Sequence, residues 1–280
     1  MSNIDALIHD LVSANRILAH EGIVDGFGHV SLRHPDDPGR FFLARARAPQ
    51  NVVPEDILEF TLDGQCTKAG APMSYIERYI HCAVFEARPD VKSVIHNHSK
   101  SLIPFGVTGN KLRPIMHDCA TIGCEVPVWD CRTNFGDTDL LVRNMAMGRD
   151  LVKTLGNGTT ALMRGHGCAV TGHSIPDAVQ TSIAMKGNAR AILDGLKLGE
   201  VTYLTAGEIS AGSAGRASLR GFDRTLVPSF AVLPLSLDGA TRSKVAPFYE
   251  SAKLANLGAF VRHFTPEELA TFTQQEQKTW

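Results

Sequence analysis

The chain has 280 residues, 44% hydrophobic and 20% charged, which is ordinary for a globular protein of one large domain or two small ones. A net charge of −1 gives no electrostatic reason to expect nucleic acid or an anionic membrane as a partner. No apolar run approaches the length that spans a bilayer, and the polar opening MSNIDALIHD does not read as a signal peptide, so a cytoplasmic protein is expected. Cys66, Cys82, Cys119, Cys124, Cys131 and Cys168 form no CxxC pair, and the expectation for all six is a reduced, buried thiol.

In chain order, Ile4, Leu7, Ile8, Leu11, Ile17 and Leu18 recur at helical spacing, with Gly22 as a stop. Short strands are expected at HVSLR (29–33), FFLAR (41–45) and ILEFTL (57–62), the last closed by Asp63-Gly64. A helix over 74–88 ends at Pro89-Asp90, ahead of a strand over 91–98. A second helix is expected over about 138–155. TTALMR (159–164), the turn Gly165-His166-Gly167 and CAVTG (168–172) read as a hairpin. A long helix then opens with proline in its first turn, at Ser174-Ile175-Pro176-Asp177, and runs to about Gly199. Strands mostly joined by turns, with helices between groups, imply a largely antiparallel sheet covered by helices. Beyond Ala206 the chain turns rich in Gly and Ser (GEISAGSAG), and a last helix is expected over 265–274.

Chemistry concentrates around the stretch SVIHNHSK (93–100). On a strand, positions i and i+2 share a face, so His96 and His98 stand side by side while Asn97 turns away. His166, between two glycines, is a third imidazole at a tight turn. Neutral imidazole is the commonest ligand for zinc and similar ions, and catalytic sites use three protein ligands plus an open position. Spacing alone leaves both a metal site and a structural pair open.

Four stretches carry a resemblance to a known family: GIVDGFGHVSLRH (22–34), VVPEDILEFTLDG (52–64), IERYIHCAVFEARPDVKSVIHNHS (76–99) and ALMRGHGCAVTG (161–172). Over roughly residues 5–205 the chain resembles the class II aldolase/adducin family, for which ARPDVxxVxHxHS with a later GHG is a specific signature. The resemblance implies an α/β/α sandwich with a mostly antiparallel central sheet, a catalytic domain over 1–225 and an extension over 226–280. It also implies a cyclic homotetramer with active sites between neighbouring subunits. Carried over residue by residue, His96, His98 and His166 match the family's metal ligands and Glu77 its acid/base carboxylate. The residues alone offer another role for Glu77, since Ser74-Tyr75-Ile76-Glu77 has the pattern of a capping box. The resemblance favours catalysis, with apolar neighbours such as Ile76 expected to raise the carboxyl pKa.

The chain departs from the sugar-phosphate aldolases at all three of their phosphate-binding pairs, where small residues let backbone amides approach a phosphate. Gly28-His29, Arg45-Ala46 and Tyr75-Ile76 stand there instead. Arg45 and Arg47, in LARARAP, alternate along an expected strand. Two guanidinium groups on one face suit carboxylate recognition, although a solvated strand edge would look the same. His29 stands where the family contacts substrate. His117 falls near the aldolases' catalytic tyrosine, so it is a candidate for proton transfer or for orienting Asp118. RxRAP with GFGHVS resembles the family's decarboxylase branch, which acts on rings bearing a hydroxyl beside adjacent carboxylates. The expectation is a metal-dependent, non-oxidative decarboxylase of a hydroxylated aromatic or pyridine dicarboxylate. A divalent ion is expected, Mn2+ in preference to Zn2+, Fe2+ or Co2+. Two other readings are an aldolase for a non-phosphorylated substrate and a non-catalytic adducin-like scaffold. Retention of three histidines and Glu77 argues against the scaffold.

Overall fold

The computed structural model describes residues 3–218; the expected helix over 265–274 and the extension over 226–280 lie outside the described residues. α1 (Asn3–His20) buries Leu11, Ile17 and Leu18 and is followed by Gly22 at φ +59°, a conformation that glycine adopts without strain. The sheet is built from β1 (His29–Arg33), β2 (Arg40–Ala44), β3 (Ile57–Thr61), β4 (Ser93–Asn97), β5 (Val128–Trp129), β6 (Thr160–Met163) and β7 (Gly167–Gly172). Its order is β3-β2-β1-β4-β7-β6-β5, antiparallel throughout except for the parallel edge pair β5–β6. The helices are α2 (Arg78–Ala87), α3 (Ile103–Val107), α4 (Arg132–Phe135), α5 (Met145–Leu155), α6 (Ile175–Gly195) and α7 (Ala206–Ser218).

Strand alternation assigns the two faces. On β1, His29, Ser31 and Arg33 point toward α2, where Arg33 donates to the carbonyls of Phe85 and Arg88 in the last turn of that helix. Two further donations, to Val91 and Pro38, give every nitrogen of this buried cation a hydrogen-bond partner, and it lies 4.7 Å from the centroid of the Phe85 ring. Phe41 stacks between Phe60 and Phe85 on the same face. Gly172 lies on the other face, where a Cβ would come 2.5 Å from the Ala178 backbone, so α6 packs directly on β7. α5 lies beside α2, with Gly148 against the Tyr79 carbonyl, and α1 lies beside α6. The result is the expected helix–sheet–helix sandwich.

Several boundaries differ from the sequence reading. Residues 74–77 are not helical: Ser74 pairs with Arg45 as a β-bridge, and Glu77 is the residue before α2, making no capping bond. The capping box therefore does not form. Residues 138–144 are also outside a helix, because Asn144 caps α5 by accepting from Met147 N–H and Leu140 takes φ +68°. α6 ends at Gly195 rather than near Gly199. The GEISAGSAG stretch is helical despite its glycines, held by packing of Gly212 against Ala120. Four cysteines are buried, but Cys66 is half-buried and Cys124 exposed. No described helix is long and apolar enough to cross a membrane.

Candidate active site

β1 and β4 pair in a register that sets His29 directly opposite His96, so the two rings share a face. His96 sits near the end of β4, His98 just beyond it, and His166 in the turn joining β6 to β7. Their Nε2 atoms converge: His96 to His98 is 2.9 Å and His98 to His166 is 3.2 Å. Glu77 Oε2 completes the group at 3.2 Å from His96 Nε2 and 3.3 Å from His166 Nε2. These four donor atoms lie within 4.8 Å of one another, as a single ion requires.

The outer nitrogens decide what the inner ones can do. His96 Nδ1 lies 3.0 Å from the Cys168 carbonyl, His98 Nδ1 3.0 Å from Asp25 Oδ1, and His166 Nδ1 3.0 Å from the Leu140 carbonyl. All three partners are acceptors, so each Nδ1 carries the proton and each Nε2 presents a lone pair. Three lone pairs and a carboxylate oxygen facing one another repel unless a cation stands between them. The donor set therefore fits a divalent metal.

Backbone geometry makes the GHG motif obligatory. Gly165 has φ +67°, and a Cβ on Gly167 would sit 2.1 Å from the Asn97 carbonyl oxygen. Gly167→Ala must push the His166 turn away from β4. Metal affinity should fall at least 10-fold by titration, the scale of a displaced ligand support, and an unchanged affinity would show that the turn tolerates the shift.

Glu77 is buried, and its Oε1 accepts from Val142 N–H at 2.9 Å. Burial alone would raise its carboxyl, and contact with His96 and His166 shifts it the other way, to well below the usual carboxylate range. The upward shift expected from Ile76 does not occur, since that side chain points outward and is 48% exposed.

Around this core the other expected residues divide. His29 is buried, packs at a tilt against the Tyr75 ring with centroids 4.4 Å apart, and lies 5.2 Å from the His96 ring. Arg45 and Arg47 lie past the end of β2 and do not alternate along a strand as expected; both turn onto the buried Asp56 carboxylate, Arg45 Nε at 2.6 Å and Arg47 Nη1 at 2.9 Å. Although burial opposes it, these hydrogen bonds and one from Val53 N–H keep the Asp56 carboxyl below its usual range. Tyr75 OH donates to the Arg47 carbonyl, tying the arginine pair to His29. The three pieces that replaced the phosphate pairs thus meet in space. His117 is not brought to the cluster: it is exposed at the start of a 3₁₀ turn, its carbonyl facing α7.

Sequence reasoning missed four contributions. Asp25 accepts from Phe27 and Gly28 N–H while orienting His98, and its place in DGFG is an Asx-turn signal. His81, one helical turn past Glu77, contacts His29 Nδ1 at 2.6 Å. The backbone of Leu140 and Val142 carries no side-chain signature at all. A cavity of about 440 Å³ opens beside His98, with Lys100, Lys186 and Arg190 in its wall, within the size range of small-molecule sites.

Residues 9–193 match the family "Class II Aldolase and Adducin N-terminal domain". Decarboxylase tropJ of Talaromyces stipitatus is 32% identical over 196 residues, spanning 65% of this chain and 74% of that protein. A 3,4-dihydroxyphthalate decarboxylase of Terrabacter sp. is 28% identical over 232 residues, spanning 78% and 87%. L-Fuculose 1-phosphate aldolase of Glaciozyma antarctica superposes with a TM-score of 0.63 at 22% identity, over 75% of this chain and 81% of that one, a likeness of fold. The chain belongs to the class II aldolase and adducin family. Within it the chain falls in the decarboxylase branch, as a carbon–carbon lyase.

Proposed function

We propose that the protein is a metal-dependent, non-oxidative decarboxylase of a hydroxylated aromatic or pyridine dicarboxylate whose departing carboxylate lies ortho to the hydroxyl. One observation carries this reading over sugar-phosphate cleavage: His29 and the Tyr75 ring packed against it fill the place where a phosphate would need small residues and open backbone amides. Lys100 in the cavity wall beside His98 supports an anionic substrate, whereas Arg190 there is paired with Asp194 and Lys186 donates to the Glu21 carbonyl.

A divalent ion held by His96, His98 and His166, with Mn2+ favoured, would supply Lewis acidity toward the hydroxyl and the adjoining carboxylate. The ionised Glu77 takes the ring hydroxyl proton as substrate binds. It returns that proton to the ring carbon bearing the carboxylate, breaking aromaticity. The carbon–carbon bond then breaks, its electron pair returns to the ring, and carbon dioxide leaves. The product phenolate takes a proton from water on release. His29 and the N–H groups of Arg45 and Arg47 not used on Asp56 hold the carboxylate that stays behind.

The active unit in this proposal is a homotetramer with sites between subunits. Phe27, Met73 and Ile76 are exposed apolar side chains beside His29, Ser74 and Glu77 in the chain, a pattern suited to cover by another copy. His117 reaches substrate only from such a neighbour.

Arg47→Met leaves Asp56 paired with Arg45 and should raise KM for a dicarboxylate about 10-fold with kcat little changed. An unchanged KM confines Arg47 to its pairing with Asp56. The reading as a whole is tested by following carbon dioxide from the Mn2+-loaded protein with 3-hydroxy-2-methylpyridine-4,5-dicarboxylate and with 3,4-dihydroxyphthalate. Release from either supports it. Aldehyde release from a hydroxy-carbonyl substrate, with no carbon dioxide from either acid, would replace it with the aldolase reading.

A further inference from the structure

We propose that Ser31 and His81 form a buried relay that fixes the tautomer of His29, so that His29 presents Nε2–H to a substrate carboxylate. The carboxylate rests on the function proposed above; the tautomer does not.

Ser31 lies two residues from His29 on β1 and so shares its face. His81 reaches between them from α2. Its Nδ1 is 2.5 Å from Ser31 Oγ and its Nε2 is 2.6 Å from His29 Nδ1, and the three side chains are at most 1% exposed. Each contact is short enough to need one hydrogen between its atoms.

Two settings of the chain place one hydrogen in each gap. In the first, Ser31 O–H donates to His81 Nδ1, His81 Nε2–H donates to His29 Nδ1, and His29 carries its proton on Nε2. In the second every bond reverses, and the Ser31 hydroxyl hydrogen must find another acceptor. The Val94 carbonyl, at 3.5 Å, is the one described residue that offers it, at the limit of hydrogen bonding. A poorly satisfied buried hydroxyl is costly, so the first setting wins. Burial pushes the His81 imidazole down to about 3, so the ring is neutral and carries a single proton. His29 Nε2 has no partner among the described residues and is not one of their sealed, orphaned polar atoms, so it is left for a ligand, in a ring whose centroid is 5.2 Å from that of His96.

The functional consequence is selectivity. A neutral N–H donor welcomes a carboxylate oxygen, whereas a bare Nε2 lone pair would repel it. His81 and Ser31 act only through His29 and are positioning residues.

Neutron diffraction from a deuterium-exchanged crystal of the metal-loaded wild-type enzyme reads the tautomer directly and needs no variant. Deuterium on Nε2 of both His29 and His81 is expected; deuterium on His29 Nδ1 overturns the relay. A kinetic arm compares two substitutions at one position. The His81→Gln amide can still donate to His29 Nδ1, and the His81→Met thioether cannot. His81→Met should raise KM for 3,4-dihydroxyphthalate about 10-fold, with kcat and bound metal unchanged, while His81→Gln stays within about 2-fold of wild type. Equal KM values for the two variants overturn the relay. A wild-type enzyme that decarboxylates neither dicarboxylate, yet shows deuterium on His29 Nε2, refutes the proposed function and leaves the tautomer standing.

Discussion

His96→Ala should remove bound metal and decarboxylation together. His96 is fully buried, its Nδ1 held by the Cys168 carbonyl and its Nε2 aimed at His98 and Glu77. Alanine removes one of three imidazole ligands and leaves Glu77 with one histidine partner fewer. Loss of a hydrogen-bonded support outside the ligands costs about 10–100-fold in metal affinity, and loss of a ligand itself should exceed that. Elemental analysis of the purified variant should show metal at background level, with carbon dioxide release falling in proportion. His98→Ala is the companion, because His98 is less buried and its removal disturbs the sheet less. Thermal unfolding separates the contributions: adding metal should raise the melting temperature of wild type, as ligand binding to the native state demands, and leave both variants unmoved. A metal-free His96→Ala protein with full activity would sink the metal-dependent mechanism.

The parts of this site legible in the sequence are those that side chains announce. The HxH pair converges because β4 places alternate residues on one face, and GHG reads as a tight turn because glycine adopts φ +67° at Gly165 without strain and has no Cβ to meet the Asn97 carbonyl at Gly167. Strands β1, β2 and β7 were readable from alternation and turn residues. Two of the boundaries that failed have a shared cause. Residues 74–77 and 138–144 carry helix-compatible sequence, yet both are drawn into the site: Glu77 swings to the histidines, Val142 N–H follows its carboxylate, and the Leu140 carbonyl fixes His166. Local propensity was overridden by partners far away in the chain, and backbone groups leave no pattern to read. Arg45 and Arg47 show the opposite limit. That they would act as a pair was readable, but the carboxylate they grip is their own Asp56, 9 to 11 residues along the chain.

Glu77→Gln should retain fold and metal while kcat falls about 10²–10⁴-fold, the range for loss of a positioned general acid–base. Glutamine has the same length and keeps an oxygen able to accept from Val142 N–H, so the loop at 138–144 holds its place. What it loses is the ability to take a proton and give it back. Assayed at saturating metal, the variant should bind dicarboxylate with a KM close to wild type, because Glu77 does not contact the carboxylate that stays behind in the proposed arrangement. The two roles of this residue then separate cleanly, with anchoring surviving in the amide and proton transfer not. Melting temperature and metal content report on the anchor, and kcat alone reports on the proton. A glutamine variant with kcat within about 2-fold of wild type would reduce Glu77 to a tether for Val142. The protonation step would then pass to His117 of a neighbouring copy, where His117→Asn should produce the loss instead.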